Sequence, residues 1–260
     1  MSTVGTYGAD FYAYQQAGSL SSADVIVPAV CDLVRPSSVV DVGCGVGTWL
    51  SAFARGGVAD FLGLDGDYVP RKDLQIPAER FRETDLSQPF ALPRAFDLAV
   101  SLEVAEHLPP ASARGFVASL TQLAPAVLFS AAVPHQGGWH HVNEQWPQYW
   151  AELFAEQRFS PLDCFRERFW AAANVRWWYA QNIVLFLGDD HQLWQTHARS
   201  SAPLRALVHP ENYLRRVADF EEATRRRTTR ETLRRIAVDV ASLPRRALDV
   251  IRGERSTRSC

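Results

Sequence analysis

Residues 39–49 read VVDVGCGVGTW, an apolar run that leads directly into a glycine-rich turn. Gly43, Gly45 and Gly47 alternate in this turn, and glycine allows both a positive φ and the close approach of a ligand to the main chain. About twenty residues after the glycines, the run FLGLD ends at Asp65, where a carboxylate at a strand tip can accept hydrogen bonds from both hydroxyls of a ribose. The pattern predicts a β-strand, a nucleoside-binding turn and a second strand.

The spacing of the glycines separates the classes of nucleotide cofactor. A dinucleotide-binding turn has the pattern G-x-G-x-x-G, which brings a helix N-terminus to a pyrophosphate. Here the pattern is G-x-G-x-G, preceded by Asp41. A P-loop places Lys and then Ser or Thr after its last glycine, whereas Thr48 and Trp49 follow Gly47. The turn therefore disfavours both a dehydrogenase and an ATP-binding protein.

Further motifs follow in order, TDL at residues 84–86 and FDLAVSLEVAEHL at residues 96–108. Together with the glycine turn and Asp65, they resemble the four motifs of the class I methyltransferases that use S-adenosylmethionine. The resemblance implies that the turn passes the methionine part of this cofactor and that Asp85 faces the adenine amino group. The residues expected to bind S-adenosylmethionine are Asp41, Gly43, Cys44, Gly45, Gly47, Thr48, Trp49, Asp65, Gly66, Asp85, Leu86, Ser101, Leu102, Glu103, Tyr14 and Ser19.

An aromatic segment, FYAYQQAGS at residues 11–19, precedes the first predicted helix. The resemblance implies that this segment shields the methionine end of the cofactor, where aromatic faces attract the positive charge of the sulfonium. Tyr14 and Ser19 are the residues of this segment expected to contact the cofactor. Ordinary packing of an N-terminal arm explains the segment equally well.

Apolar β-type runs alternate with helical patterns along the chain, which indicates a largely parallel sheet. The runs lie at residues 39–43, 61–65, 96–102, 127–133, 159–165 and 183–187. Helices are predicted at residues 21–34, 47–55, 111–123 and 144–157, with a capping box at Ser21 and a cap at Asn143. The expected fold is α/β, a Rossmann-like seven-stranded mostly parallel sheet with helices on both faces and a C-terminal helical extension. The resemblance implies that the last two strands form an antiparallel hairpin.

The 260 residues have room for one α/β domain and an appendage. We expect an S-adenosylmethionine-dependent methyltransferase domain at residues 1–190 and an arginine-rich helical extension at residues 191–260. A net charge of -2 gives no field that would attract nucleic acid or an anionic membrane, and no apolar run is long enough to span a bilayer. The expected location is the cytoplasm. The expected partner is a small-molecule or glycan acceptor, and the C-terminal helices are a candidate surface for a homo-oligomer.

The stretch AVPHQGGWHHVNEQW at residues 132–146 follows the fifth predicted strand. Histidine is suited to general-base catalysis because its pKa lies near working pH, and a hydroxyl must lose its proton when it attacks a methyl group. We therefore expect His140 or His141 to act as the base, with His107 as a second candidate. A structural histidine is the alternative interpretation of each.

Donors for a metal ion also lie in and near this stretch. They are His135, His140, His141, Glu144 and Asp163. No paired aspartates typical of a site for a hard cation accompany them, and adjacent histidine side chains point in divergent directions. The sequence therefore predicts no metal site.

Two segments, GGWHHVNEQW at residues 137–146 and WWYAQN at residues 177–182, resemble one bacterial subgroup of these methyltransferases. Members of the subgroup accompany glycosyltransferases in surface-polysaccharide or specialised-metabolite pathways, which implies a sugar or glycosylated acceptor. The expected function is O-methylation of a hydroxyl on a sugar, glycan or glycosylated natural product. The alternatives are a carboxyl or N-methyltransferase of a small specialised metabolite and a non-catalytic cofactor-binding protein of the same fold.

Overall fold

The computed structural model describes residues 9–199 and 203–241, and the side chains of residues 18–199 and 203–238. The helices and strands are, in chain order, α1 (Ala9–Val34), β1 (Ser38–Val42), α2 (Thr48–Arg55), β2 (Asp60–Asp65), β3 (Phe81–Glu83), β4 (Leu98–Leu102), α3 (Ala113–Leu123), β5 (Ala126–Ser130), α4 (Pro147–Glu156), β6 (Phe159–Leu162), α5 (Phe165–Phe169), α6 (Trp177–Asn182), β7 (Val184–Gly188) and α7 (Pro210–Ala241). A 3₁₀ turn at Ala105–His107 follows β4 and belongs to the site described below.

The strands form one seven-stranded sheet in the order β3-β2-β1-β4-β5-β7-β6. Strands β1 to β5 are parallel, and β7 runs antiparallel to both of its neighbours, β5 and β6. This arrangement confirms the predicted fold, including the late antiparallel pair. The strand order reverses between β1 and β4, and ligands of open parallel sheets bind beyond the carboxyl ends of the strands at such a point.

The central strands are buried because helices cover both faces of the sheet. Side chains of β1 alternate between two hydrophobic clusters, since Val39 packs with α1 and α2, and Val40 packs with α3 and α4. The same alternation in β4 sends Leu98 to the first cluster and Ala99 to the second. The core thus holds the carboxyl ends of β1 and β4 side by side.

The start of α1 differs from the prediction. The helix extends back to Ala9 and does not begin at Ser21. The hydroxyls of Ser21 and Ser22 donate hydrogen bonds to the carbonyl of Gly18, at 3.1 and 2.8 Å, so they bond to the preceding turn instead of capping a new helix. Ser22 Oγ also accepts a hydrogen bond from the main-chain N–H of Arg176, at 3.0 Å.

The start of α4 also differs, because the helix begins at Pro147 and Asn143 does not cap it. Proline is favoured at the first helical position, where its missing N–H costs nothing. The main-chain N–H of Asn143 instead donates to the carbonyl of Glu106, at 3.0 Å. Residues 135–145 therefore form a loop that is held against the 3₁₀ turn after β4.

The chain forms two compact units, with the division after Asn212. The expected domain boundary at residue 190 stays a prediction. Leu204 and Asn212 are buried, so the segment that carries them belongs to the first unit. In the second unit, α7 continues to Ala241, and the remainder of the predicted helical extension lies outside the described residues. Within the described ranges, no helix combines the length and the apolar character needed to cross a bilayer.

Candidate active site

The glycine turn connects β1 to α2 and has positive φ angles at all three glycines, +85° at Gly43, +52° at Gly45 and +84° at Gly47. A Cβ on Gly43 would lie 2.3 Å from Val104 Cγ2, and one on Gly47 would lie 2.8 Å from Ile76 Cγ1. A Cβ on Gly45 would meet no atom within 4 Å among the described residues. Gly43 and Gly47 are therefore required by packing, whereas Gly45 faces open space that a ligand can enter.

Asp65, at the tip of β2, is held against this turn. Its Oδ2 accepts a hydrogen bond from the N–H of Gly45 at 2.7 Å, and its Oδ1 accepts one from the N–H of Gly66 at 2.7 Å. The hydroxyl of Tyr68 donates a further hydrogen bond to Oδ1. Because ribose hydroxyls bind to the same carboxylate oxygens in nucleoside sites, Tyr68 occupies a position that a cofactor would need. No sequence motif marks Tyr68, because a tyrosine in a turn belongs to no recognisable pattern.

Two cavities open at the carboxyl ends of β1, β2 and β4, with volumes of about 200 and 880 Å³. They share Gly43, Tyr68 and Glu103. Of the expected cofactor residues, the smaller cavity is lined by Ser19, Gly43, Cys44, Gly45, Thr48, Trp49, Leu102 and Glu103. The larger is lined by Gly43, Asp65, Gly66, Asp85, Leu86 and Glu103, and also by His107.

Three of the expected cofactor residues, Asp41, Gly47 and Ser101, line neither cavity, and the side chain of Tyr14 lies outside those that the structure describes. Asp41 and Ser101 are buried in β1 and β4, and no described residue forms a hydrogen bond with Asp41 Oδ2 or Ser101 Oγ. Burial, and secondly the nearby Asp65, raise the pKa of Asp41 well above its ordinary value. Asp41 and Ser101 therefore belong to the interior of the sheet next to the site.

Asp85 lies at the exposed rim of the larger cavity. Its Oδ1 accepts hydrogen bonds from the N–H and the hydroxyl of Ser87, at 2.9 and 2.6 Å, and these bonds lower its pKa. The carboxylate therefore stabilises the turn after β3 while it borders the cavity. Leu86, next to it, is buried and presents an apolar surface.

Glu103, directly after β4, borders both cavities and has a left-handed backbone with φ of +56°. Its carboxylate accepts hydrogen bonds from Gln136 Nε2 at 2.9 Å and from Asn182 Nδ2 at 3.0 Å. Burial raises the pKa of Glu103, and the hydrogen bond from Asn182 is the largest opposing effect. Strained backbone of this kind is typical of functional sites. The two amides were missed by the sequence analysis because they lie far from Glu103 along the chain.

Glu106, His107 and His141 form a group that we call the carboxylate–histidine cluster. One donor atom from each residue lies within 4.8 Å of the others, and the two imidazole rings meet edge to face with centroids 4.8 Å apart. Burial, and secondly His141, lower the pKa of His107 to about 4, so the ring is neutral at physiological pH. Burial, and secondly Glu103, raise the pKa of Glu106 well above its ordinary value.

The three histidines expected as bases lie in two different environments. His107 and His141 belong to the cluster, and His107 lines the larger cavity. His140 is exposed, has a φ of +56° and packs its ring edge to face on Trp139 at 4.9 Å. Glu106 was not among the expected site residues, because nothing in the sequence shows that it is fully buried.

The sheet order, the glycine turn after β1 and the carboxylate at the tip of β2 together define a class I methyltransferase, a Rossmann-like enzyme that uses S-adenosylmethionine. Residues 19–174 match a family model described as a methyltransferase domain. This match covers more than half of the 260 residues, and the chain belongs to that family. The expected enzyme class and cofactor are confirmed, whereas the bacterial subgroup stays a prediction.

A curated relative is the ubiquinone biosynthesis O-methyltransferase of Photorhabdus laumondii subsp. laumondii, which is 33% identical over 109 residues. The match covers 39% of this chain and 45% of the relative, so the chain spans less than half of that enzyme's length. A solved structure, a candidate O-methyltransferase from Nostoc punctiforme PCC 73102, has a TM-score of 0.52 at 12% identity, over 72% of this chain and 64% of that chain. This likeness supports the fold alone. Magnesium protoporphyrin IX methyltransferase from Synechocystis PCC 6803, with bound SAH, gives 0.48 at 18% identity, over 70% and 90% of the two chains.

The geometry around Asp65 fits S-adenosylmethionine. Two main-chain amides orient the carboxylate at the cavity wall, and Gly45 leaves the space beside it free of side-chain atoms. Bound S-adenosylmethionine supplies a methyl group on a positively charged sulfur. Trp49 and Tyr179, whose ring centroids are 5.0 Å apart, wall the smaller cavity with aromatic surface and limit the access of water.

Proposed function

We propose that the protein transfers the methyl group of S-adenosylmethionine to a hydroxyl oxygen of a sugar, a glycan or a glycosylated natural product. The observation that carries the proposal is that Asp65 and His107 line the same cavity. Asp65, which fits the donor, and His107, which belongs to the carboxylate–histidine cluster, therefore border one space. Donor and acceptor can be aligned in that space.

Methyl transfer to a hydroxyl requires removal of the hydroxyl proton, and the cluster offers groups that can assist it. The bond from the acceptor oxygen to the methyl carbon forms as the bond from carbon to sulfur breaks, and the hydroxyl proton must leave. The neutral ring of His107 has a nitrogen lone pair at the cavity wall. Alignment of the two reactants supplies the larger part of the rate enhancement, and the cluster is the place where the proton is lost.

A polyhydroxylated acceptor is supported by the lining of the larger cavity. Asp67, Glu83 and Ser87 contribute polar atoms to it, and Tyr68, which is 74% exposed, contributes an aromatic ring. Rings of this kind pack on the apolar face of a sugar, while polar groups bind its hydroxyls. The resemblance of residues 137–146 and 177–182 to the bacterial subgroup points to the same acceptor class.

The test begins with calorimetric titration of S-adenosylmethionine into the full-length protein and into the Asp65→Ala variant. We expect micromolar binding that the substitution abolishes. Methyl transfer is then assayed on a panel of monosaccharides, glycosides, carboxylic acids and amines with the wild type and the variants His107→Ala and His141→Ala. We expect turnover on a hydroxylated acceptor, reduced about 10²- to 10⁴-fold in both variants, with cofactor affinity retained.

The matched control is His135→Asn, because His135 is an exposed histidine of the same loop and asparagine tolerates its left-handed φ of +65°. Turnover of this variant should equal that of the wild type. Turnover on amines or carboxylates alone, or full activity in both cluster variants, contradicts the hydroxyl proposal. Cofactor binding without transfer to any acceptor supports the non-catalytic alternative.

A further inference from the structure

We infer that Glu106, His107 and His141 form a binding site for one divalent first-row metal ion such as Mn²⁺ or Zn²⁺, at the wall of the larger cavity. This site differs from the donor set considered in the sequence analysis, in which only His141 occurs. Its catalytic role, which is to bind the hydroxyl oxygen of the acceptor, rests on the proposed function. The binding of the metal ion does not.

The first observation is the state of the Glu106 carboxylate. Its side chain is fully buried, and neither oxygen has a hydrogen-bond partner of normal geometry among the described residues. The main-chain amides of Glu106 and Ala132 and the carboxyl of Glu103 lie close to this carboxyl group. Burial makes the charged form of this carboxyl group costly, and a metal ion between it and the two imidazoles would offset that cost.

The second observation is that both imidazoles are oriented as metal ligands commonly are, with one nitrogen bonded to an oxygen acceptor. His141 Nδ1 lies 2.9 Å from Glu144 Oε1, and because a carboxylate only accepts hydrogen bonds, Nδ1 carries the proton and Nε2 has the lone pair. One ring nitrogen of His107 donates to the main-chain carbonyl of His140, which leaves the other nitrogen unprotonated.

Glu144 is itself fixed by the loop. Its carboxylate accepts hydrogen bonds from the N–H of His135 at 2.7 Å and the N–H of Gly137 at 2.9 Å, in addition to the bond from His141. Gly138 lets the main chain pack closely against the ring of His141, since a Cβ at this position would lie 2.2 Å from Nε2. The loop thus holds the ring of His141 in place.

The donor set selects the class of metal. One carboxylate and two imidazoles suit first-row transition metals and zinc, whereas magnesium and calcium prefer oxygen ligands throughout. Bonds of about 2.1 Å place tetrahedral donors about 3.4 Å apart, so the donors, which are within 4.8 Å of one another, must close by up to about 1.4 Å. A carboxylate that makes no hydrogen bonds can make this adjustment by side-chain rotation.

Three protein ligands leave further positions on the metal ion for water or for the acceptor. A hydroxyl bound there ionises more readily, because the cation stabilises the alkoxide. The proton passes to solvent water, and the oxygen then bonds to the methyl carbon as the bond from carbon to sulfur breaks. With the cation bound, the two imidazoles act as ligands and the acceptor needs no separate histidine base.

The experiment measures Mn²⁺ binding to the chelator-treated full-length protein by electron paramagnetic resonance, with Zn²⁺ calorimetry in parallel. We expect one ion per chain. Binding should weaken at least about tenfold in Glu106→Gln and in His141→Ala, and about 10- to 100-fold in Glu144→Gln, which removes the orienting carboxylate. His135→Asn and Asp85→Asn, which change a histidine and a carboxylate outside the cluster, should bind like the wild type. Circular dichroism confirms that each variant is folded.

The outcomes separate this inference from the proposed function. Absence of binding in the wild type, or unchanged affinity in both Glu106→Gln and His141→Ala, overturns the metal site, whatever the activity. Metal binding together with full turnover in chelator-treated enzyme retains the site but removes its catalytic role. Metal binding with no transfer to any hydroxyl leaves the site in place and contradicts the proposed function.

Discussion

Tyr68 occupies a hydrogen-bonding position on Asp65 that we expect the cofactor to need. It donates to Asp65 Oδ1 while the rest of its ring is largely exposed. Binding of a ribose to Asp65 requires the tyrosine to move, and the lost hydrogen bond costs about 1 kcal/mol. We expect Tyr68→Phe to bind S-adenosylmethionine about three- to tenfold more tightly than the wild type, as measured by calorimetry. Weaker binding would mean that the hydroxyl contacts the cofactor.

Asp41 provides a prediction about pH. Its pKa is raised in the folded protein, by burial and then by Asp65, so ionisation is disfavoured relative to the unfolded chain. The folded state therefore loses stability as the pH rises above about 4, where the unfolded carboxyl ionises. Asparagine does not ionise. We expect Asp41→Asn to have a higher Tm than the wild type, by about 2–4 °C at pH near 8, with the difference shrinking toward pH 4.

Thermal unfolding of the cofactor-free protein across this pH range tests the Asp41 prediction. The exposed Asp67 serves as a control, since Asp67→Asn should show no such trend. A Tm difference for Asp41→Asn that does not change with pH contradicts the account.

Sequence motifs predict a donor site at the glycine turn and Asp65, and they single out His107 and His141 but not Glu106. Asp65 and the alternating glycines are close in sequence and have a fixed spacing, so their role is readable from the chain. Glu106 and His141 meet only because the loop after β5 bonds to the turn after β4, through the N–H groups of Val142 and Asn143 and the carbonyl of Glu106. The burial of Glu106 results from tertiary packing and therefore cannot be predicted from its position in the sequence.

The turn between β1 and α2 contains one glycine that we expect to affect stability, Gly43, and one that we expect to affect cofactor binding, Gly45. Gly43→Ala combines a φ of +85° with a collision against Val104, and we expect a loss of about 3 kcal/mol in the free energy of unfolding. The methyl group of Gly45→Ala would have no described atom within 4 Å beyond its chain neighbours. This variant should lose only about 1 kcal/mol, while its methyl group enters the cavity and weakens cofactor binding at least tenfold.

Chemical denaturation and calorimetry of both variants distinguish the two effects at the turn. The account is wrong if Gly45→Ala binds S-adenosylmethionine normally or if Gly43→Ala is as stable as the wild type.

The end of α6 is stabilised by a buried amide. Gln181 Nε2 donates to Gln136 Oε1 at 2.9 Å, and Gln181 Oε1 accepts from the N–H of His209 at 2.8 Å and from Asn212 Nδ2 at 3.2 Å. Truncation would leave these groups buried without partners. We expect Gln181→Ala to lower the free energy of unfolding by about 2–3 kcal/mol, measured by urea denaturation. The exposed Gln122 of α3 is the control, and an equal loss in Gln122→Ala would refute the argument.

The elements that could be predicted are those whose pattern is local. Central strands such as β1 and β4 are mostly apolar because both faces are covered, and their sequence patterns predict them within a few residues of the observed bounds. The short strand β3 has one buried side chain, Phe81, and carries no such pattern. The start of α1 was misplaced because Ser21 and Ser22 have the composition of a cap, although their hydroxyls bond to Gly18.

For the whole molecule, the second unit presents large apolar side chains on an otherwise charged helix. Examples are Leu214, Phe220 and Leu233, of which Phe220 is 72% exposed. Apolar surface of this extent is typical of an interaction site, and a homo-oligomer stays our prediction for its partner. We expect a chain ended at Asn212 to bind S-adenosylmethionine like the wild type and to have a lower association state in sedimentation velocity.

A control for this truncation is the full-length chain with Phe220 and Leu233 replaced by serine, which should show the same change in sedimentation. If the truncated and the intact chain sediment as the same oligomer, the helix does not mediate association. If the truncated chain fails to bind the cofactor, the second unit is needed for the fold or for the site.

The placement of the site residues along the chain has an evolutionary consequence. The glycine turn and Asp65, which fit the donor, follow β1 and end β2, whereas the carboxylate–histidine cluster and its orienting Glu144 come from the turn after β4 and the loop after β5. Recombination or drift in the second half of the chain can therefore change which acceptor is accepted without disturbing the affinity for the methyl donor. Enzymes with this layout can diversify their substrates while they inherit one cofactor site unchanged.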